Sequence, residues 1–127
     1  MAQLAEILRA DGHGCDELYG NILMSPEMPF YLIHGECGPS IFAPSYFGTP
    51  HEEIAEPITD QILRKMYKTD QYPREQVPIV YEQLIWAMNE AEACLERCLE
   101  AIPVGKYDVV GFSVGFDAQK LASAALA

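Results

Sequence analysis

Apolar positions recur along this chain with more than one rhythm. From Arg74 to Ile102 they fall three and four apart, at Val80, Leu84, Ala87, Met88, Ala91, Leu95, Cys98, Leu99 and Ile102. That spacing keeps one face of a 3.6-residue helix apolar and predicts a long helix, with Pro78 in its first turns, where proline is tolerated. His51 to Thr69 carries Ile54, Ile58, Ile62 and Met66 at intervals of four and predicts a second helix. Pro57 either kinks it or marks its true start. Shorter helices are predicted at Ala2 to Ala10, with Leu4, Ile7 and Leu8 on one face, and at Ala118 to Ala127, with Asp117 as N-cap.

Two runs follow a different rule. Tyr107 to Val114 reads YDVVGFSV, and β-branched and aromatic residues dominate it. It predicts a short buried parallel strand. Cys15 to Ile22 predicts another. Between Ser25 and Pro50, proline and glycine punctuate the chain too often for long regular elements, yet five aromatics there call for burial. That stretch predicts a packed, irregular region with one short helix around Pro29 to Glu36.

Helix, strand, helical region, strand and helix in that order predict an open α/β sheet. Residues 1–127 read as one domain, with 25–105 as a mostly irregular and helical insertion. Ligands of open sheets bind beyond the carboxyl ends of the strands. Here those ends are Tyr19 to Asn21 and Ser113 to Asp117. Two strands make a poor parallel sheet, so either a first strand is cut off at the boundary or a partner strand is expected from another polypeptide or from a second copy in a homodimer.

Charge narrows the partners. Nineteen acidic residues oppose eight basic ones, for a formal charge of -11. Such a surface repels phosphate backbones and anionic lipid, so neither nucleic acid nor membrane is an expected partner. No apolar run approaches the roughly 20 residues of a membrane span. Met1 to Ala10 holds Glu6 and Arg9 and lacks a signal-peptide pattern, which predicts a cytoplasmic protein. The four cysteines are then expected to be reduced thiols.

Several small constellations bear on chemistry. Cys94-x-x-x-Cys98 supplies two cysteines of a CxxxCxxC iron–sulfur pattern, but Ala101 stands at the third position. Two thiols near the buried face of a helix is the reading it favours. Asp11-Gly12-His13 begins like DxHxxG but has Asp16 at the glycine position, which leaves His13 as a turn residue. His34 with Glu36, and His51 with Glu52 and Glu53, match no zinc spacing; the second group suits a helix start. Gly111-x-Ser113-x-Gly115 satisfies the string of a nucleophile elbow, yet His13, His34 and His51 all precede it. A small serine hydrolase built on Ser113 stays as an alternative. The strongest candidate is Ser113 to Gln119, between a predicted strand and a helix N-terminus whose free N–H groups can meet a ligand oxygen.

Three stretches carry a family resemblance: LAEILRADGHGCDELYGN from Leu4, GECGPSIFAPSYFG from Gly35 and YDVVGFSVGFDAQKLASAALA from Tyr107. In that order they resemble the amino-terminal cobalamin-binding-type domain of radical SAM enzymes that mature ribosomally synthesised peptides. The resemblance implies an incomplete flavodoxin-like, three-layer α/β domain. It implies cobalamin as cofactor in the intact enzyme, with Tyr19, Asn21, Ser113, Gly115, Phe116 and Gln119 near it. Ser113 would donate a hydrogen bond, Gly115 would allow close backbone approach, Phe116 would offer an apolar face to a corrin, and Gln119 would bond a side-chain amide. The iron–sulfur cluster, S-adenosylmethionine and the peptide substrate would belong to a catalytic barrel beyond Ala127. The family's opening strand has no counterpart before Met1. The expectation is a cofactor-binding portion of a methyltransferase, without catalytic residues of its own.

Overall fold

A computed structural model describes residues 2–24, 26–28, 32, 38–103, 105–112, 114 and 118–127. Helix α1 spans Ala2–Ala10. A 3-10 turn follows at Gly20–Leu23 and another at Ser40–Phe42. The latter runs into a short helix α2, Ala43–Phe47, which ends where Gly48 turns left-handed (φ 66°) and its N–H reaches the Pro44 carbonyl at 2.8 Å. Helix α3 spans His51–Tyr67, α4 spans Gln76–Ala101 and α5 spans Ala118–Leu126.

The centre of the molecule is a hairpin of α3 and α4. From α4 a single stripe points inward, Val80, Leu84, Ala87, Met88, Ala91 and Leu95. From α3 come Ala55, Ile62 and Leu63, while the buried Thr59 hydroxyl donates to the Ala55 carbonyl at 2.8 Å. Ile41, Phe42, Met28 and Leu32 close the third side. Leu121, Ala122, Ala125 and Leu126 bring α5 against the same core, half-buried. The predicted interval of four on α3 drifts around the helix. Each step of four overshoots a turn by about 40°. Ile62 is therefore buried, Ile54 and Ile58 half-buried, and Met66 exposed. Pro57 neither starts nor ends α3; it lies inside the helix on the solvent side.

The predicted α/β class is overturned. No strand occurs among the described residues, and every regular element there is helical. A strand needs a paired neighbour to satisfy its backbone, and the two predicted strands do not pair. Residues 15–19 have no regular structure and lead into the Gly20–Leu23 turn, while 107–112 and 114 have none. Nor is the second run buried. Val109 is 84% exposed, and Val110, Phe112 and Val114 are exposed as well. The flavodoxin-like, three-layer arrangement falls with the sheet. The core lies within the stretch the pattern had assigned to an insertion, because α3 and α4 are long enough to bury each other's apolar faces. The short helix expected around Pro29 to Glu36 lies outside the described residues, apart from the helical Leu32. No described helix is long and apolar enough to cross a membrane.

Candidate functional site

The first and the last of the three stretches that carry the resemblance touch. Asp16 lies inside the first and Tyr107 opens the last. The Asp16 carboxylate accepts from Lys106 Nζ at 2.8 Å and from Tyr107 Oη at 2.6 Å, across some 90 positions of sequence. Lys106 also donates to the Tyr107 oxygen at 3.2 Å. The Lys106 bond, with the Tyr107 bond next, holds the Asp16 carboxyl below the usual carboxylate value. Asp16 in turn raises Lys106. All of this is solvent-exposed, so it fixes position more than it adds stability.

On the other side of Asp16, Arg9 ties the chain back to α1. Its Nη2 donates to the Cys15 carbonyl at 2.8 Å and to Glu17 at 3.2 Å. Tyr19 Oη donates to the second Glu17 oxygen at 3.1 Å, and that bond raises the tyrosine pKa. This polar string leaves the apolar groups of the segment outward, with Leu18, Tyr19 and Ile22 all exposed.

Of the expected cofactor residues, Tyr19 is exposed and engaged with Glu17. Asn21 lies within the Gly20–Leu23 turn. Gln119 lies in the first turn of α5 and is exposed. Ser113, Gly115 and Phe116 lie outside the described residues, as do His34, Glu36, Cys37 and Asp117. Two clefts border the core elsewhere. One of 620 Å³ is lined by Asp70, Gln71, Tyr72, Arg74, Val77 and Pro78. The other, of 270 Å³, is lined by Ser45, Glu92, Leu95, Glu96, Leu99 and Ala125. Neither touches Tyr19, Asn21 or Gln119. With Tyr19, Val109, Val110, Phe112 and Val114 open to solvent, the described residues form no cradle for a corrin and do not fit one as they stand.

His13 is exposed beyond α1. His51 begins α3, with Glu52 and Glu53 in the first turn as the pattern suggested. Its Nε2 lies 3.1 Å from Glu92 Oε1 but lacks hydrogen-bond alignment, so the contact is ionic only when the imidazole is protonated. Cys94 and Cys98 are buried on α4, and burial, with the neighbouring Cys98 thiol, pushes Cys94 up to about 11. No group of three or more His, Cys, Asp or Glu suited to a metal ion occurs among the described residues.

The Asp16–Lys106–Tyr107 contact had no signature in sequence, because its members are remote and individually ordinary. A second unforeseen cluster brackets the turn between α3 and α4. Asp60 accepts from Tyr72 Oη and from Arg64 Nε (2.6 Å), and Arg64 also holds Asp70 at 2.5 Å. No protein family, curated protein or solved structure matches this chain.

Proposed function

We propose that this chain is a non-catalytic part of a larger cobalamin-dependent radical SAM peptide maturase, and that other polypeptide of that enzyme covers its exposed apolar segments. One observation carries the reading. The first and last stretches on which the resemblance rests leave Leu18, Tyr19, Val109, Val110, Phe112 and Val114 in solvent. The helical core packs its own apolar groups without them. Exposed apolar side chains grouped along a segment suit a surface that a partner covers. The contact from Asp16 to Lys106 and Tyr107 joins the first of these stretches to the start of the last.

Cobalamin is assigned to the completed enzyme alone, since the described residues do not cradle it. No catalytic step is attributed to this chain. A second copy would cover the same surface in a homodimer. A charge of -11 on each chain opposes that pairing.

Hydroxocobalamin added to two preparations tests the reading. The chain alone should leave the visible spectrum unchanged and should bind a dye that reports exposed apolar surface. A polypeptide lengthened by the coding sequence on either side should shift the spectrum at one cobalamin per chain and lose the dye signal. A lengthened polypeptide that ignores cobalamin overturns the proposal. So does a stable dimer of the chain that excludes the dye, or ester hydrolysis abolished by Ser113→Ala.

A further inference from the structure

Cys94 and Cys98 sit one turn apart on α4, both buried. The two thiols interact, and Cys94 Sγ–H also donates to the Gly20 carbonyl at 3.7 Å. Gly20 closes over the pair, since a Cβ there would stand 3.4 Å from Cys98 Sγ. Arg97 Nε donates to the Leu23 carbonyl at 3.1 Å and pins the far end of the same turn. The result is a dithiol under a cover of four residues, Gly20–Leu23, held at both ends from α4.

Spacing decides what such a pair can do. Helical neighbours four apart hold their Cβ atoms about 5–6 Å apart. A disulfide needs about 3.5–4.5 Å, so closing one would force α4 to unwind. An ion placed between the sulfurs lengthens the bridge by one atom and leaves the helix whole. Structural zinc takes four ligands, and no third His, Cys, Asp or Glu joins this pair among the described residues. Soft thiolates select Cu(I), zinc and iron–sulfur clusters, and of these Cu(I) is the one that two sulfurs satisfy.

We propose that Cys94 and Cys98 form a two-thiolate site for a soft monovalent cation, Cu(I), beneath the Gly20–Leu23 turn. On binding, each thiol releases one proton to solvent, two copper–sulfur bonds form, and copper keeps its oxidation state. The bound pair carries one net negative charge, and the Arg97 guanidinium, already acting on Cys94, stands beside it. This site does not depend on the function proposed above.

The full reduced chain, titrated anaerobically with Cu(I) against a bicinchoninate competitor, tests it. One Cu(I) per chain is expected. Loss of partners outside the ligand shell costs about 10–100-fold in metal affinity, so Cys94→Ala and Cys98→Ala should each weaken retention at least about tenfold. Cys15→Ala should leave it unchanged. Far-UV circular dichroism checks that each variant keeps its helices. X-ray absorption on the unsubstituted, copper-loaded chain needs no variant and should show two sulfur neighbours and no nitrogen. Failure of the unsubstituted chain to hold Cu(I) overturns the proposal. Retention undiminished in either alanine variant, or a copper environment with nitrogen or a third sulfur, does the same.

Discussion

The α3–α4 hairpin and the run from Tyr107 to Val114 contain comparable apolar residues and meet opposite fates. In the hairpin, Leu63, Leu84 and Met88 are wholly buried because each helix satisfies its own backbone and offers one apolar face to the other. In the run, Val109, Val110, Phe112 and Val114 face solvent. An extended segment can satisfy its backbone only through a neighbour, and here it has none among the described residues. Burial therefore follows from what each segment supplies for itself, and hydrophobicity alone does not decide it.

The sharpest way to break this contrast is to truncate one residue in each region. Leu84→Ala should cost about 2–5 kcal/mol in urea unfolding, as a large side chain lost from a closed core does. Val109→Ala should stay within about 0.5 kcal/mol in the isolated chain. Equal effects would mean that the run is packed. A smaller effect is expected inside the hairpin from Thr59→Val, which keeps the shape but loses the 2.8 Å bond to the Ala55 carbonyl. It should cost about 1 kcal/mol by the same measurement.

The link between the first and the last resembling stretches should respond to pH. Asp16 has a folded pKa below its unfolded value, so its contribution is fully present above about pH 4 and fades as pH falls through the lower folded value. Lys106 is shifted upward, so the same contact is also lost as pH rises through the lysine's raised value. Nuclear magnetic resonance of the Tyr107 ring should follow the acid step, and Asp16→Asn should remove it. The smallest effect expected is one of order in thiol chemistry. Iodoacetamide near pH 8 should modify Cys15 before Cys94, whose thiol is buried and held neutral with a pKa of about 11. Mass spectrometry of the digested protein reads that order directly.

Helices were the legible part of the sequence because their signal is long and internal. The stripe from Val80 to Cys98 repeats over many turns, and only its end was misjudged: Leu99 is exposed, and Ile102 lies just past the last helical residue, Ala101. A run of four to eight apolar residues carries no comparable internal evidence. YDVVGFSV suits a buried strand only where a neighbouring strand exists, and no local pattern reports that neighbour. The same limit applied to the expected cofactor residues. The resemblance sets Tyr19 at one strand end and Gln119 in the loop-to-helix segment after another, and neither strand exists among the described residues. Cys94 and Cys98 could be read correctly as thiols near a buried helix face, since the stripe itself located them. Their cover at Gly20 lies 74 positions away and had no local sign.

Hydrogen–deuterium exchange on the isolated chain tests most directly whether the run from 107 to 112 lies uncovered. Its amides should exchange at close to the rate of an unstructured peptide, while the Val80-to-Leu95 stretch of α4 is protected to the level of global unfolding. Protection of 107–112 equal to that of α4 would contradict the open surface and the function built on it.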